Sequence, residues 1–192
     1  MIETDTVLVD FRTEILRQLE ALHNYAYYLT NDETLAADLV QDTYLRVLKN
    51  EQDFKTGSNI KAWMFTILRN CFINEYRRKK RWRDTPLTGI EQGGSTDEED
   101  DFEAEQFTAP IGQVTSNELG DEITRALESL SNDERSLILL SDLEDFSYEE
   151  MSQILNVPIG TVRSRLHRAR VKLKGKLKKY AITQGIEPKY KT

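Results

Sequence analysis

Apolar residues recur along much of this chain with a period near 3.6, the mark of amphipathic helices that pack through one face. Phe11, Ile15, Leu19 and Leu22 fall at helical spacing. Asn31-Asp32-Glu33 opens a second run, in which Leu35, Leu39, Val40, Leu45 and Leu48 are expected to share one face. Asp38, Gln41, Asp42 and Arg46 occupy other angles of that helix. Residues 51–59 read as a polar loop holding Gly57, with Ser58 as the expected N-cap of a third helix over about 60–81. There Met64, Phe65, Leu68, Phe72 and Tyr76 form an apolar side. Thr66, Asn70, Asn74, Arg77 and Arg81 recur on another, with Trp63 near the start.

The period lapses between residues 84 and 117, where Pro86, Pro110, Gly89, Gly93, Gly94 and Gly112 accompany a run of acids. Such a stretch reads as a flexible linker. Beyond it stand two S-x-x-E capping boxes, Ser131…Glu134 and Ser147…Glu150, each opening a short helix. The second helix, about 148–155, ends at Asn156-Val157-Pro158. Another begins near Pro158, whose fixed φ and missing N–H suit a first turn. Two helices around so short a turn form a helix-turn-helix pattern. The expected fold is therefore all-α: two small helical domains at 1–83 and 118–180, an acidic linker at 84–117, and a tail at 181–192.

Charge sharpens this picture. The net charge of -7 argues against nucleic acid until it is mapped. Residues 61–83 carry Lys61, Arg69, Arg77, Arg78, Lys79, Lys80, Arg81 and Arg83 against Glu75 alone. Residues 151–192 hold eleven Lys and Arg against Glu187 alone, while residues 84–122 have acids and no Lys or Arg. Separated basic blocks suit two DNA contacts, because phosphate neutralisation dominates affinity. Cys71 is the only cysteine and His23 and His167 the only histidines, too few for a disulfide or a cysteine-based zinc site. No cofactor is implied, and no Walker-type loop or H-E-x-x-H helix points to an enzyme. An acidic N-terminus and the lack of a long apolar run predict a soluble, cytoplasmic protein.

On the last helix, Val162, Leu166, Ala169 and Leu173 make one narrow apolar stripe. Arg163, Ser164, His167, Arg168 and Arg170 lie away from it, a distribution suited to a helix in a major groove. A solvated basic face is the alternative reading. On the third helix, amides suit base edges, aromatics suit unpaired bases, and Arg and Lys suit phosphate. Its alternatives are a solvent-facing polar stripe and a core position for Trp63. Cys71 reads as a small buried apolar residue.

Tyr148-Glu149-Glu150-Met151 and Gly160-Thr161-Val162-Arg163-Ser164-Arg165-Leu166-His167-Arg168-Ala169-Arg170 resemble the second conserved domain of extracytoplasmic-function sigma factors. Leu127-Glu128-Ser129-Leu130 and Asp142-Leu143-Glu144-Asp145-Phe146-Ser147 match the same domain. Ala37-Asp38-Leu39-Val40-Gln41-Asp42-Thr43-Tyr44-Leu45-Arg46 is similar to the family's polymerase-clamp helix. Lys61-Ala62-Trp63-Met64-Phe65-Thr66-Ile67-Leu68-Arg69-Asn70, then Asn74-Glu75-Tyr76-Arg77-Arg78, is similar to its promoter-melting segment.

The resemblance implies a transcription initiation factor whose partners are core RNA polymerase, through its clamp and flap regions, promoter DNA, and an anti-sigma protein. Asp38, Gln41, Asp42 and Arg46 would face polymerase. Trp63, Asn70, Asn74, Arg77 and Arg78 would read and melt the minus-ten element, helped by the loop at 53–59. Arg163, Ser164, Arg165, His167, Arg168 and Arg170 would read the minus-thirty-five duplex. The linker would thread toward the polymerase cleft, or act as a plain tether. Two rival functions are a stand-alone helix-turn-helix regulator and an interaction protein that sequesters a partner.

Overall fold

The computed structural model describes residues 11–55, 57–84 and 118–183. The linker lies outside these residues except for Asp84, as do the N-terminal ten residues and the end of the tail. Among the described residues every regular element is helical. After helical backbone at 11–17 come α1 (Leu19–Thr30), α2 (Glu33–Lys49), a 3-10 turn (Glu51–Asp53) and α3 (Ile60–Asp84). The C-terminal module holds α4 (Glu118–Glu128), α5 (Asn132–Ile138), a π turn (Leu139–Leu143), α6 (Tyr148–Leu155) and α7 (Ile159–Thr183). Helix α3 thus runs slightly beyond its expected end.

Local chemistry places these boundaries. Asn31 adopts the left-handed conformation at the end of α1 (φ 51°), and its N–H donates to the Tyr27 carbonyl. The Asp32 side chain then accepts from the Leu35 N–H to open α2. At α3 the cap is Asn59 rather than Ser58: its Oδ1 accepts from the Ala62 N–H at 3.1 Å. The Ser58 hydroxyl turns back onto the Lys55 carbonyl instead. Both expected capping boxes form in full, at Ser131/Glu134 and Ser147/Glu150.

In the N-terminal module Leu22, Tyr25, Ala26 and Leu29 of α1 pack on Met64, Phe65 and Leu68 of α3. The α2 face differs from expectation. Ala36, Leu39, Val40, Thr43 and Val47 are buried, and at 100° per residue they occupy about 100° of arc. Leu45 and Leu48 lie well outside that arc and are 59% and 42% exposed. Buried Thr43 satisfies its hydroxyl on the Leu39 carbonyl, so a polar residue sits inside at little cost. Leu19 is also exposed, beside the turn at Gln18, although Leu22 beyond it stays buried in phase with Phe11 and Ile15.

The C-terminal module buries Leu130, Leu137, Leu140, Met151, Ile154, Val162, Leu166 and Ala169. The two cores meet. Phe65 of α3 packs edge-on against Phe146 at 5.0 Å, and Tyr25 lies 5.1 Å from Phe65. The Tyr25 hydroxyl bonds the Ser136 hydroxyl in a fully buried position. That burial pushes the phenol up to about 12, against the opposing pull of the Ser136 hydrogen bond.

Replacing Leu166 by Ala should cost about 2–5 kcal/mol through lost burial and a residual cavity. Leu45→Ala should stay within about 0.5 kcal/mol. Urea unfolding of the full chain, followed by circular dichroism, separates the two; equal losses would contradict the observed α2 face.

Candidate nucleic-acid and partner surfaces

Helix α6 and the start of α7 are joined by a turn whose geometry the sequence dictates. Asn156 takes the left-handed conformation (φ 51°), the Ser152 hydroxyl donates to the Val157 carbonyl at 2.6 Å, and the Pro158 carbonyl accepts from Thr161 and Val162. With Val162, Leu166 and Ala169 buried, the other side of α7 is presented outward. Arg163, Ser164, His167, Arg168 and Arg170 are exposed there as expected, and Arg165 is half-buried.

These cations are not equivalent. The Arg163 guanidinium lies over the Tyr148 ring, 5.5 Å from its centroid. Arg168 donates back to the Ser164 carbonyl at 3.4 Å and stays exposed. Arg170 forks onto the Asp142 carboxylate and donates to the Ser141 hydroxyl at 2.7 Å. Its Asp142 and Tyr148 partners hold the charged form, raising its pKa against burial. Arg165 reaches the Asp133 carboxylate at 3.5 Å, and Arg69 of α3 approaches the same carboxylate at 3.8 Å. Burial raises the Asp133 pKa, and the two guanidinium groups oppose that rise. Arg163, His167 and Arg168 therefore face outward, while Arg165 and Arg170 are held by acids of their own module.

On α3, Asn70, Asn74, Arg77 and Arg78 are exposed along one line, and Arg78 pairs with Glu75 at 2.8 Å. Trp63 is half-buried in a cluster with Phe54 (5.2 Å) and Phe11 (6.5 Å). It thus buttresses the loop that leads into α3. Cys71 is buried and burial raises its thiol pKa, which suits a packing role. On α2, Asp38, Gln41, Asp42 and Arg46 are all exposed. All four line a cavity of ≈ 350 Å³ between α2 and α3, which Asn74 and Arg78 border from the far side. Two groups of residues expected to serve different partners are thus brought to one groove.

Sequence reasoning missed the residues that join the modules. Arg135, only 5% exposed, donates to the carbonyls of Leu127, Glu128 and Leu130 in its own module. It also donates to those of Tyr28 and Leu29 at the end of α1. Lys61 reaches the Glu144 carboxylate at 2.8 Å and the Phe146 ring at 5.0 Å. Asn59 donates to Glu150 at 2.5 Å. One signal was available for Arg135: it stands three and four positions before the apolar Ile138 and Leu139, on the face that enters the core.

Among the described residues no helix is long and apolar enough to cross a membrane, and no group of three His, Cys, Asp or Glu could hold a metal ion. A capped short helix docked beneath a long basic one defines a helix-turn-helix protein of the nucleic-acid-binding class. Comparison with known proteins narrows this. Residues 15–82 match sigma-70 region 2, and residues 120–173 match sigma-70 region 4. The ECF RNA polymerase sigma factor EcfG of Rhodopseudomonas palustris is 36% identical over 162 residues, 84% of this chain and 82% of that protein. SigE of Mycolicibacterium smegmatis, also an ECF RNA polymerase sigma factor, is 32% identical over 169 residues, 88% of this chain but 62% of the relative. The crystallised sigma factor RpoE of Bartonella quintana, in complex with the anti-sigma factor NepR, superposes with a TM-score of 0.68 at 36% identity. That match covers 88% of this chain and 97% of RpoE. The chain belongs to the ECF family of RNA polymerase sigma factors, which direct transcription initiation at promoters. The stand-alone regulator is thereby disfavoured.

The Tyr148–Arg163 stacking makes a testable contribution. Tyr148→Leu should weaken duplex DNA binding about two- to fivefold, the scale of an exposed cation–π contact, while Tyr148→Phe should retain affinity. Fluorescence anisotropy of the chain bound to core polymerase on labelled promoter duplex reads this; equal losses in both variants would assign the effect to the hydroxyl.

Proposed function

We propose that the chain divides promoter recognition between its two modules and is delivered to DNA by core RNA polymerase. The observation that carries this reading is the pair of exposed polar helix faces on one chain. Asn70, Asn74 and Arg77 line α3, and Arg163, His167 and Arg168 line α7. Amide side chains can satisfy the edges of unpaired bases, so α3 suits the minus-ten element once it is melted. Trp63 supports that surface from behind through Phe54 and Phe11. A guanidinium forks onto guanine O6 and N7 in a major groove, so α7 suits the minus-thirty-five duplex. Arg163 and Arg168 are its leading base contacts, with Ser164 and His167 beside them. Arg165 and Arg170 act chiefly through the acids that hold them.

Asp38, Gln41, Asp42 and Arg46 form the polymerase-clamp surface, and the C-terminal module addresses the flap. The domain limits follow as 1–83 and 118–180, with 84–117 as the acidic connection. An anti-sigma partner is supported by RpoE, crystallised in complex with NepR. The site of action is the cytoplasm, where polymerase is found, and the chain acts there as a non-catalytic initiation factor. Net acidity disfavours DNA binding by the free chain, so affinity depends on the polymerase complex.

In vitro transcription with core polymerase tests the reading: added chain should yield RNA from a cognate start site, and its failure to do so overturns it. Arg168→Ala should cost about 1–3 kcal/mol and relax preference at one duplex position. A uniform loss across sequences would make Arg168 a phosphate contact instead. Asn74→Ala should slow open-complex formation more than it weakens duplex binding.

A further inference from the structure

We propose that Lys174 and Lys178, on the C-terminal half of α7, hold the backbone phosphates that flank the minus-thirty-five element, a contact that fixes the helix on the duplex without reading sequence. This deepens the reading of α7 given above and rests on it.

The cation on α7 changes type partway along the helix. Arg163, Arg165, Arg168 and Arg170 are followed by Lys172, Lys174, Lys176, Lys178 and Lys179, with no Arg beyond residue 170 and no acid on the helix. A guanidinium is a planar fork matched to base edges, whereas an ammonium is a compact, hydrated point charge suited to phosphate.

Packing fixes which lysines face the duplex. Leu173 and Leu177 are half-buried and continue the stripe of Leu166 and Ala169, so the rotation of α7 is set along its length. At about 100° per residue, Lys174 and Lys178 fall roughly 20° and 60° round from Arg163, inside the arc that Arg163, His167 and Arg168 span. Lys176 falls about 160° from either. Lys172 is turned the same way as Lys176 and is held by Glu134 at 2.9 Å. Lys174, Lys176 and Lys178 are exposed, and among the described residues none of them pairs with an acid.

Length then separates the two halves. The 25 residues of α7 extend about 37 Å at about 1.5 Å each, about three times the roughly 12 Å width of a major groove. A helix-turn-helix sets the N-terminal residues of its recognition helix at base edges. A straight helix so placed leaves the groove floor toward its C-terminus and passes over the phosphates at the groove's edge. Lys174 and Lys178 lie about 9 and 15 Å beyond Arg168 along the axis, where that crossing falls. An acidic protein surface would meet the same charges, but it would not require them to share the arc of the base-reading residues.

The test uses the full chain bound to core polymerase, on labelled promoter duplex that this complex has selected from a random pool. Anisotropy across a salt series reads affinity for Lys174→Gln, Lys178→Gln and, as the matched control, Lys176→Gln. Each of the first two should weaken binding about three- to fivefold and make the slope of log affinity against log salt shallower by about 0.9, the value for one neutralised phosphate. The loss should be equal on the selected duplex and on one with its minus-thirty-five sequence scrambled, leaving the preference ratio unchanged. Lys176→Gln should change the slope by less than half as much. Shortening the duplex to the edge of the element should, at one of its two ends, bring the original chain down to the affinity of the Lys174→Gln, Lys178→Gln double variant. Equal slope changes in all three single variants would mean a diffuse field, and unchanged slopes no contact; either overturns the proposal. So does an advantage of the original chain that survives shortening at each end, which would place the lysines on polymerase. A complex that does not distinguish selected from scrambled duplex defeats the base-reading role of α7 itself, and the slopes and shortened duplexes still decide the lysine contact.

Discussion

A single buried guanidinium ties the molecule together. Arg135 enters the interior between the end of α1 and the end of α4, where helices present carbonyls with no intrahelical donor. Those carbonyls carry the negative ends of two helix dipoles, so a cation there meets favourable potential from both sides. Burial costs the charged form and pulls the Arg135 pKa down, with Glu128 opposing the shift. The five bonds to backbone oxygens offset that cost. The Tyr25–Ser136 pair and the Phe65–Phe146 packing lie on the same seam and depend on the alignment it sets.

Around this anchor, short-range chemistry shapes the surfaces that meet other molecules. Two capping boxes start α5 and α6, a left-handed Asn ends α6, and the Pro158 carbonyl accepts the first bonds of α7. Each is a local device, yet together they fix which side of α7 faces out. The acids at Asp133 and Asp142 then sort the cations on that side, holding Arg165 and Arg170 and leaving Arg163 and Arg168 directed outward. In the N-terminal module the aromatic trio Phe11, Phe54 and Trp63 supports the loop into α3, while the amide line of α3 stays exposed.

Much of this was legible in the chain alone, and the exceptions share a cause. The capping boxes, the helix-turn-helix and the Val162/Leu166/Ala169 stripe follow from spacing, because cap chemistry and helical period act within a few residues. The α2 face departs from the apolar pattern because hydrophobicity favours Leu45 and Leu48, whereas the buried arc is completed by Ala36, Thr43 and Val47. Small residues and a back-bonded Thr fill space that apolar scales undervalue. The cap at Asn59 instead of Ser58 is a one-residue difference between two adjacent capping types. The seam was invisible for another reason: Arg135, Glu144 and Ser136 look like surface residues until a partner segment about a hundred positions away is placed against them.

The carbonyls that hold Arg135 divide unequally between the two modules. Three of its five carbonyls belong to its own module, so undocking strips only two bonds and leaves the guanidinium seated. Water can then take the vacated donors at once, since they sit at the newly wetted edge. The cation need neither swing away nor refold its neighbourhood.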